Sequence, residues 1–196
     1  MKALVTGLIA LSLIVPAQAQ HDGHDQGTSA GMPMHRMPMG HAAMDALKKQ
    51  TGRNFNTSFM SQMIAHHQSA VEMSRDVLNT NADPRIKAMA RRIIKSQTGE
   101  IAKMTGWLKA WYGVTPSKYH MNLVRQDQKA MMAMPISSGR AFAEMMIPHH
   151  QEATMMAKMA LQKSDKAPLK ALARTMLQDQ QKEITAFQRL LRAGAN

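Results

Sequence analysis

Two histidine pairs, each set among methionines, carry the chemistry this sequence could do. His66 and His67 lie in Phe59-Met60-Ser61-Gln62-Met63-Ile64-Ala65-His66-His67-Gln68-Ser69-Ala70-Val71-Glu72-Met73. His149 and His150 lie in Phe142-Ala143-Glu144-Met145-Met146-Ile147-Pro148-His149-His150-Gln151-Glu152-Ala153-Thr154-Met155-Met156. On a helix, residues three and four apart are neighbours. Met63 therefore stands beside His66 and His67, with Met73 two turns on, while Met145 and Met146 stand one turn before His149 and His150, with Met156 two turns after His149. Imidazole nitrogen combined with thioether sulfur suits a soft monovalent ion, Cu(I) or Ag(I), and needs no carboxylate cage. A third group, Met32, Met34, His35, Met37, Met39 and His41, repeats these donors in a Gly- and Pro-rich stretch, where a flexible chain can wrap an ion without any fold.

The two histidine segments are copies of one another at a constant offset of 83 residues, so that Phe59 recurs as Phe142 and Met73 as Met156. The copy continues beyond them: Lys87-Ala88 recurs as Lys170-Ala171, and Gln97-x-x-Glu100-Ile101 as Gln180-x-x-Glu183-Ile184. Such self-similarity marks an internal repeat, here a unit of two helical segments. Advancing by about 100° per residue from Phe59 aligns Met63, His66, Ala70, Met73 and Val77 on one face, with His67 at its edge and Glu72 opposite. From Ile86 the same step aligns Ala90, Ile93, Gln97, Glu100, Met104 and Trp111. Glu100 and Glu183 are thereby placed to hold His66 and His149 through the second ring nitrogen, as carboxylates behind metal-bound imidazoles do; Gln97 and Gln180 are weaker candidates for the same role. A single inward His reads as a satisfied core residue. A His pair repeated in both halves and flanked by Met points to metal.

Positioning these groups takes a helical scaffold. Asn54 or Asn56 is expected to cap a first helix ending near Asn79. Asp83-Pro84 reads as the N-cap and first position of a second helix that stops at Gly113. Residues 114–138 form a crossover with a short helix around Met121 to Met132, a third helix covers Arg140 to Lys163, and a fourth runs from Pro168 to Arg192. Pro148 falls inside the third, where its ring leaves the Glu144 carbonyl unbonded, so either that helix kinks there or it starts later than the repeat suggests. No strand alternation competes, so the fold expected is all-α, a four-helix bundle of two duplicated hairpins joined by a longer crossover.

The chain opens on Lys2, an apolar run to Val15 and Ala17-Gln18-Ala19. This is the layout of a cleavable secretory signal, too short to span a membrane. The expected organisation is a signal peptide over residues 1–19, a flexible Met/His-rich arm over 20–53 and the bundle over 54–196, in a periplasmic or secreted protein. With 21 methionines and no cysteine, a thioether site avoids the disulfide chemistry that disables paired thiols outside the cytoplasm. The net charge of +12 is scattered along the helices without an aromatic platform, which argues against nucleic acid and reads as solvated faces.

Enzymatic classes fare poorly. A di-iron bundle places Glu-x-x-His on two helices, whereas Met63 and Met146 stand where those Glu residues would be. No nucleophile and base sit at usable spacing, and no Gly-rich phosphate loop is present.

The motifs Met63-Ile64-x-His66-His67-Gln68-x-Ala70-x-x-Met73 and Met146-Ile147-Pro148-His149-His150-Gln151-x-Ala153-x-x-Met156, each followed by Gln-x-x-Glu-Ile, resemble the domain of unknown function 305 family. That resemblance spans roughly Asn54 to Leu191 and implies a ferritin-like exported bundle of the CopM copper-binding type, with the four histidines and neighbouring methionines as ligands. Ala65 departs from the Pro usual at that position. The reading is a non-enzymatic exported protein that sequesters or delivers Cu(I), alternatively Ag(I), with the metal ion as its ligand and another envelope copper-handling protein as a candidate partner. The alternatives are a structural or adaptor bundle without metal and, less favoured, a di-metal oxidase.

Overall fold

The computed structural model describes residues 41–196. Among these, seven helices follow in order: α1 (Ala42–Lys48), α2 (Gly52–Leu78), α3 (Pro84–Tyr112), α4 (Lys118–Asp127), α5 (Lys129–Met132), α6 (Gly139–Lys163) and α7 (Ala167–Arg192). No strand occurs among the described residues. The hairpins α2–α3 and α6–α7 are the two copies of the repeat, and α2 packs against α6 to join them. No helix among the described residues is long and apolar enough to cross a membrane.

Local chemistry sets most helix ends. The Asp83 carboxylate accepts from Arg85 N–H at 2.8 Å and Pro84 follows it, as expected. The Arg85 side chain also holds that carboxyl down at about 2. Gly113 stops α3 in the left-handed region, φ 68°, where a side chain would be strained. Ser138 caps α6 by accepting from Ala141 N–H at 3.1 Å. Helix α6 runs unbroken through Pro148, whose neighbour Glu144 pairs with Arg140 at 2.9 Å.

Two expectations fail at the start of the bundle. Helix α2 begins at Gly52 behind Thr51, so neither Asn54 nor Asn56 caps it. Asn56 is buried instead, donating to the Tyr112 hydroxyl at 2.8 Å and to Asp165 at 2.5 Å. The stretch expected as arm up to residue 53 also holds α1, whose Ala43 and Leu47 are fully buried. Both ends of so short a helix are tied down: Asp127 accepts from Ala43 N–H at 2.9 Å, and Lys163 Nζ donates to the carbonyls of Leu47, Lys48 and Gln50 at and just beyond its last turn and lies 5.6 Å from the Phe55 ring centre. An ammonium at a helix C-terminus meets the negative end of the helix dipole.

Helices α1 and α4 pack against α2 and against each other. Covered on several sides, α2 buries even its Ser58, Ser61, Gln62, Ser69 and Ser74. A helix surrounded by others loses the polar outer face of an ordinary surface helix. The apolar core falls into two clusters. One gathers Phe55, Phe59, Met63, Leu108 and Met156, and the other Met73, Met145, Met146, Phe142 and Phe187.

Candidate metal centre

The α2–α6 seam brings equivalent histidines from the two copies face to face. His66 and His149 have ring centres 3.8 Å apart and planes tilted by 40°. All four histidines of the motifs are fully buried, including His67, which the helical projection left at the edge of the face. Its contact with Glu100 on α3 covers that edge.

Each copy uses its second histidine to bind the neighbouring helix. His67 Nε2 lies 2.6 Å from Glu100 Oε2, and His150 Nε2 lies 2.8 Å from Glu183 Oε2. The expected pairing of Glu100 with His66 and of Glu183 with His149 is therefore corrected by one position: the first histidine of each pair faces the opposite hairpin, and the second faces its own. With its proton on Nε2 toward the carboxylate, each of these rings presents a lone pair on Nδ1. Neither Nδ1 has a hydrogen-bond partner among the described residues.

Residues from the opposite copy approach each ring of the inner pair. His149 Nε2 is 2.8 Å from Ser69 Oγ on α2, and His66 Nε2 is 3.4 Å from Glu152 Oε2 on α6. Ser69 and Glu152 occupy equivalent positions of the repeat, so the arrangement is twofold in layout and unequal in chemistry. Gln128, at the end of α4, closes the circuit. Its Oε1 accepts from Ser69 at 2.7 Å, and its Nε2 donates to Glu152 at 3.2 Å. Both nitrogens of His66 and Nδ1 of His149 are left without hydrogen-bond partners among the described residues.

Burial, reinforced by the neighbouring imidazoles His66, His150 and His67, pushes His149 well below the ordinary histidine value. Burial also lowers His67, against the pull of Glu100. A neutral ring is the form that ligates a metal. Burial drives the Glu152 carboxyl up, but His66 and Gln128 outweigh it and leave the group below its ordinary value, ionised beside the histidines.

The methionines of the two motifs lie in the apolar core. Met63 and Met156 belong to one core cluster, and Met73, Met145 and Met146 to the other, so each cluster draws sulfur from both halves. All five are buried. Gln97 and Gln180 are buried too, but each Oε1 lacks a partner and neither amide is hydrogen-bonded to a histidine among the described residues, so they do not hold the rings. Met32, Met34, His35, Met37 and Met39 lie outside the described residues, as does the expected signal peptide; His41 is exposed at the start of α1. Sequence reasoning missed Ser69, Gln128 and Glu152. The first and last were detectable as unequal residues at the repeat offset beside the histidines, whereas nothing in the sequence singled out Gln128.

Among the described residues, no group of three or more His, Asp or Glu converges as a metal cage. What the seam offers is buried imidazole nitrogen without partners, on two helices that also bury thioethers one or two helical turns away. That donor set fits a soft monovalent ion and suits Mg(II), Ca(II) or a carboxylate-bridged iron pair poorly.

Comparison with known proteins agrees with the repeat. The profile of DUF305, a domain of unknown function, matches twice, over residues 9–108 and 78–191. CopM in its Cu(I)-bound form is 28% identical with a TM-score of 0.62, covering 70% of this chain and 96% of that one; its Ag-bound form obtained by co-crystallization gives the same identity and score, covering 74% and 98%. A DUF305 protein from Streptomyces coelicolor is 25% identical with a TM-score of 0.60, covering 72% of this chain and 94% of that one. The uncharacterized protein L153 of Acanthamoeba polyphaga mimivirus is 44% identical over 50 residues, 26% of this chain, and the match spans only 33% of the viral protein. Matched by the family profile across both copies of its repeat, the chain belongs to the DUF305 family.

Proposed function

We propose that this protein is an exported, non-enzymatic binder of a soft monovalent metal ion, Cu(I) or Ag(I), which it sequesters or delivers. The observation that carries the reading is the set of five buried imidazole nitrogens without hydrogen-bond partners, on His66, His67, His149 and His150, inside a Met-rich seam. Leaving a buried polar atom unpaired costs about 1–3 kcal/mol, and a metal ion would relieve that cost. The Glu100 and Glu183 carboxylates on Nε2 match the support usual behind a metal-bound imidazole. Met63, Met73, Met145, Met146 and Met156 are the thioether ligands proposed with them, and Met32, Met34, His35, Met37, Met39 and His41 a separate, arm-borne set. The similarity to CopM, solved with Cu(I) and with Ag, supports the same ion class, and residues 1–19 support export.

Competition against a coloured Cu(I) chelator under reducing conditions tests this. His66→Ala combined with His149→Ala is expected to weaken binding by about a hundredfold, at the upper end of what even supporting residues of metal sites contribute, with the helical circular dichroism retained. Unchanged affinity would leave the arm as the binder. The His–Glu pairs within each hairpin also favour a second reading, in which the histidines only hold helices in register. That reading predicts a melting temperature indifferent to added Cu(I), whereas binding to the folded state alone must raise it.

A further inference from the structure

A groove of about 530 Å³ runs between α1 and α6, with His41, Met44, Met155, Met159 and Glu152 in its wall. Its lining on α6 differs from the equivalent face of α2. At the repeat offset, Met155 corresponds to Glu72, Met159 to Asp76 and Glu152 to Ser69. Glu72 and Asp76 are ordinary exposed acids on the outer face of α2. On α6 the same outer face carries thioethers instead, and Met155 is 50% exposed. Met44 and Met159 pack in part against the apolar core below the groove, while Met155 stands half in water where the sister copy carries an acid.

Glu152 joins this groove to the buried centre. It is only 6% exposed, lines the groove wall, and approaches His66 Nε2 to 3.4 Å. One carboxylate thus stands between surface donors on one side and the histidine pair on the other. Of the cations nearby, Lys48 is neutralised by Asp45 at 2.9 Å and Lys158 lies on the rim. A strongly hydrated ion gains little from such a lining, while a soft ion gains sulfur and imidazole ligands.

We propose that the groove is a second soft-metal site, with Met44, Met155, Met159 and His41 as donors, and that it is the port through which the buried histidines are loaded. The port rests on the function proposed above, and its failure is separable from the failure of that function. The full chain, labelled at its Met methyl groups and His rings, is titrated with Ag(I) and followed by NMR, for the wild type and for Met155→Leu with Met159→Leu. Leucine keeps the bulk and apolar character of methionine, and unchanged methyl signals elsewhere report the intact fold. The expected result is that the Met44, Met155 and Met159 methyls shift in the wild type. In the double variant the His66 and His149 signals reach the same end point about tenfold more slowly, at the lower end of the effect of removing a supporting metal-site residue. Silent groove methyls alongside responsive histidines would overturn the groove site and leave the buried centre standing. An unchanged loading rate would overturn the port, and silence at both places would overturn port and centre together.

Discussion

His66 and His149 are two equal residues treated unequally by their surroundings. One faces an ionised Glu152 and the other a Ser69 hydroxyl. Glu152→Gln keeps the shape and the Gln128 contact but removes the charge beside the ring, and it is expected to weaken Ag(I) binding by about tenfold with unchanged circular dichroism; chelator competition measures it, and equal affinity would show that the carboxylate does not act on the ion. The lowered values of His149 and His67 set a pH dependence in the metal-free protein. In the unfolded chain both rings titrate near 6.5, so as pH falls through that value the unfolded state takes up protons first. Stability is therefore full above the ordinary histidine range and declines below it, by at most about 1.4 kcal/mol per pH unit for each ring. Urea midpoints that fall between pH 7.5 and 5.5 would show this, and flat midpoints would contradict it. At this scale the sequence was legible in part. The histidines announce themselves because polar residues recur inside an apolar stripe, but a helical projection gives direction without neighbours. It could not tell that Glu100 reaches His67 rather than His66.

The long helices were readable because their ends carry strong local signals, Asp83-Pro84 and Gly113 above all. The start of α2 was not, since Thr51 makes no side-chain cap bond and an Asn inside a helix resembles one placed before it. Helix α1 escaped because seven residues seldom hold a helix by themselves; it is held by buried Ala43 and Leu47 and by two residues distant in sequence, Asp127 at its start and Lys163 at its end. Lys163→Ala should therefore release α1 specifically. The expected cost is about 1–2 kcal/mol, at the lower end for bonds to a partly exposed charge. Hydrogen exchange would show lost protection at Asp45 to Lys48 with the amides of α3 unaffected, and retained protection would mean that Ala43, Leu47 and Asp127 suffice as anchors.

Across the whole molecule, the segment after α7 is tied to the opposite hairpin. The Asn196 carbonyl accepts from Asp83 N–H, and Gly139 lies so close that an added Cβ would sit 2.7 Å from the Asn196 carbonyl carbon and 2.8 Å from Ala82 Cβ. Gly139→Ala is expected to destabilise by about 1–3 kcal/mol, the usual cost of overpacking. Deleting Ala195 and Asn196 in the same chain should recover part of that loss, as thermal melts of the single and combined variants would reveal; no recovery would place the clash at Ala82 alone. The bundle itself was legible from the repeat. The contact between Asn196 and Asp83, like the place of Gln128, depends on three-dimensional closure that no spacing encodes.

The mismatch of Ser69 and Glu152 has a consequence for how the molecule is constituted. Two separate, identical hairpins meeting about a dyad would be obliged to present the same side chain on either flank, and any visitor would meet the same approach from left and right. Fused into a single polypeptide, the halves are freed from that obligation: one flank can become a doorway while the other stays a wall, giving traffic through a nearly symmetric body a direction.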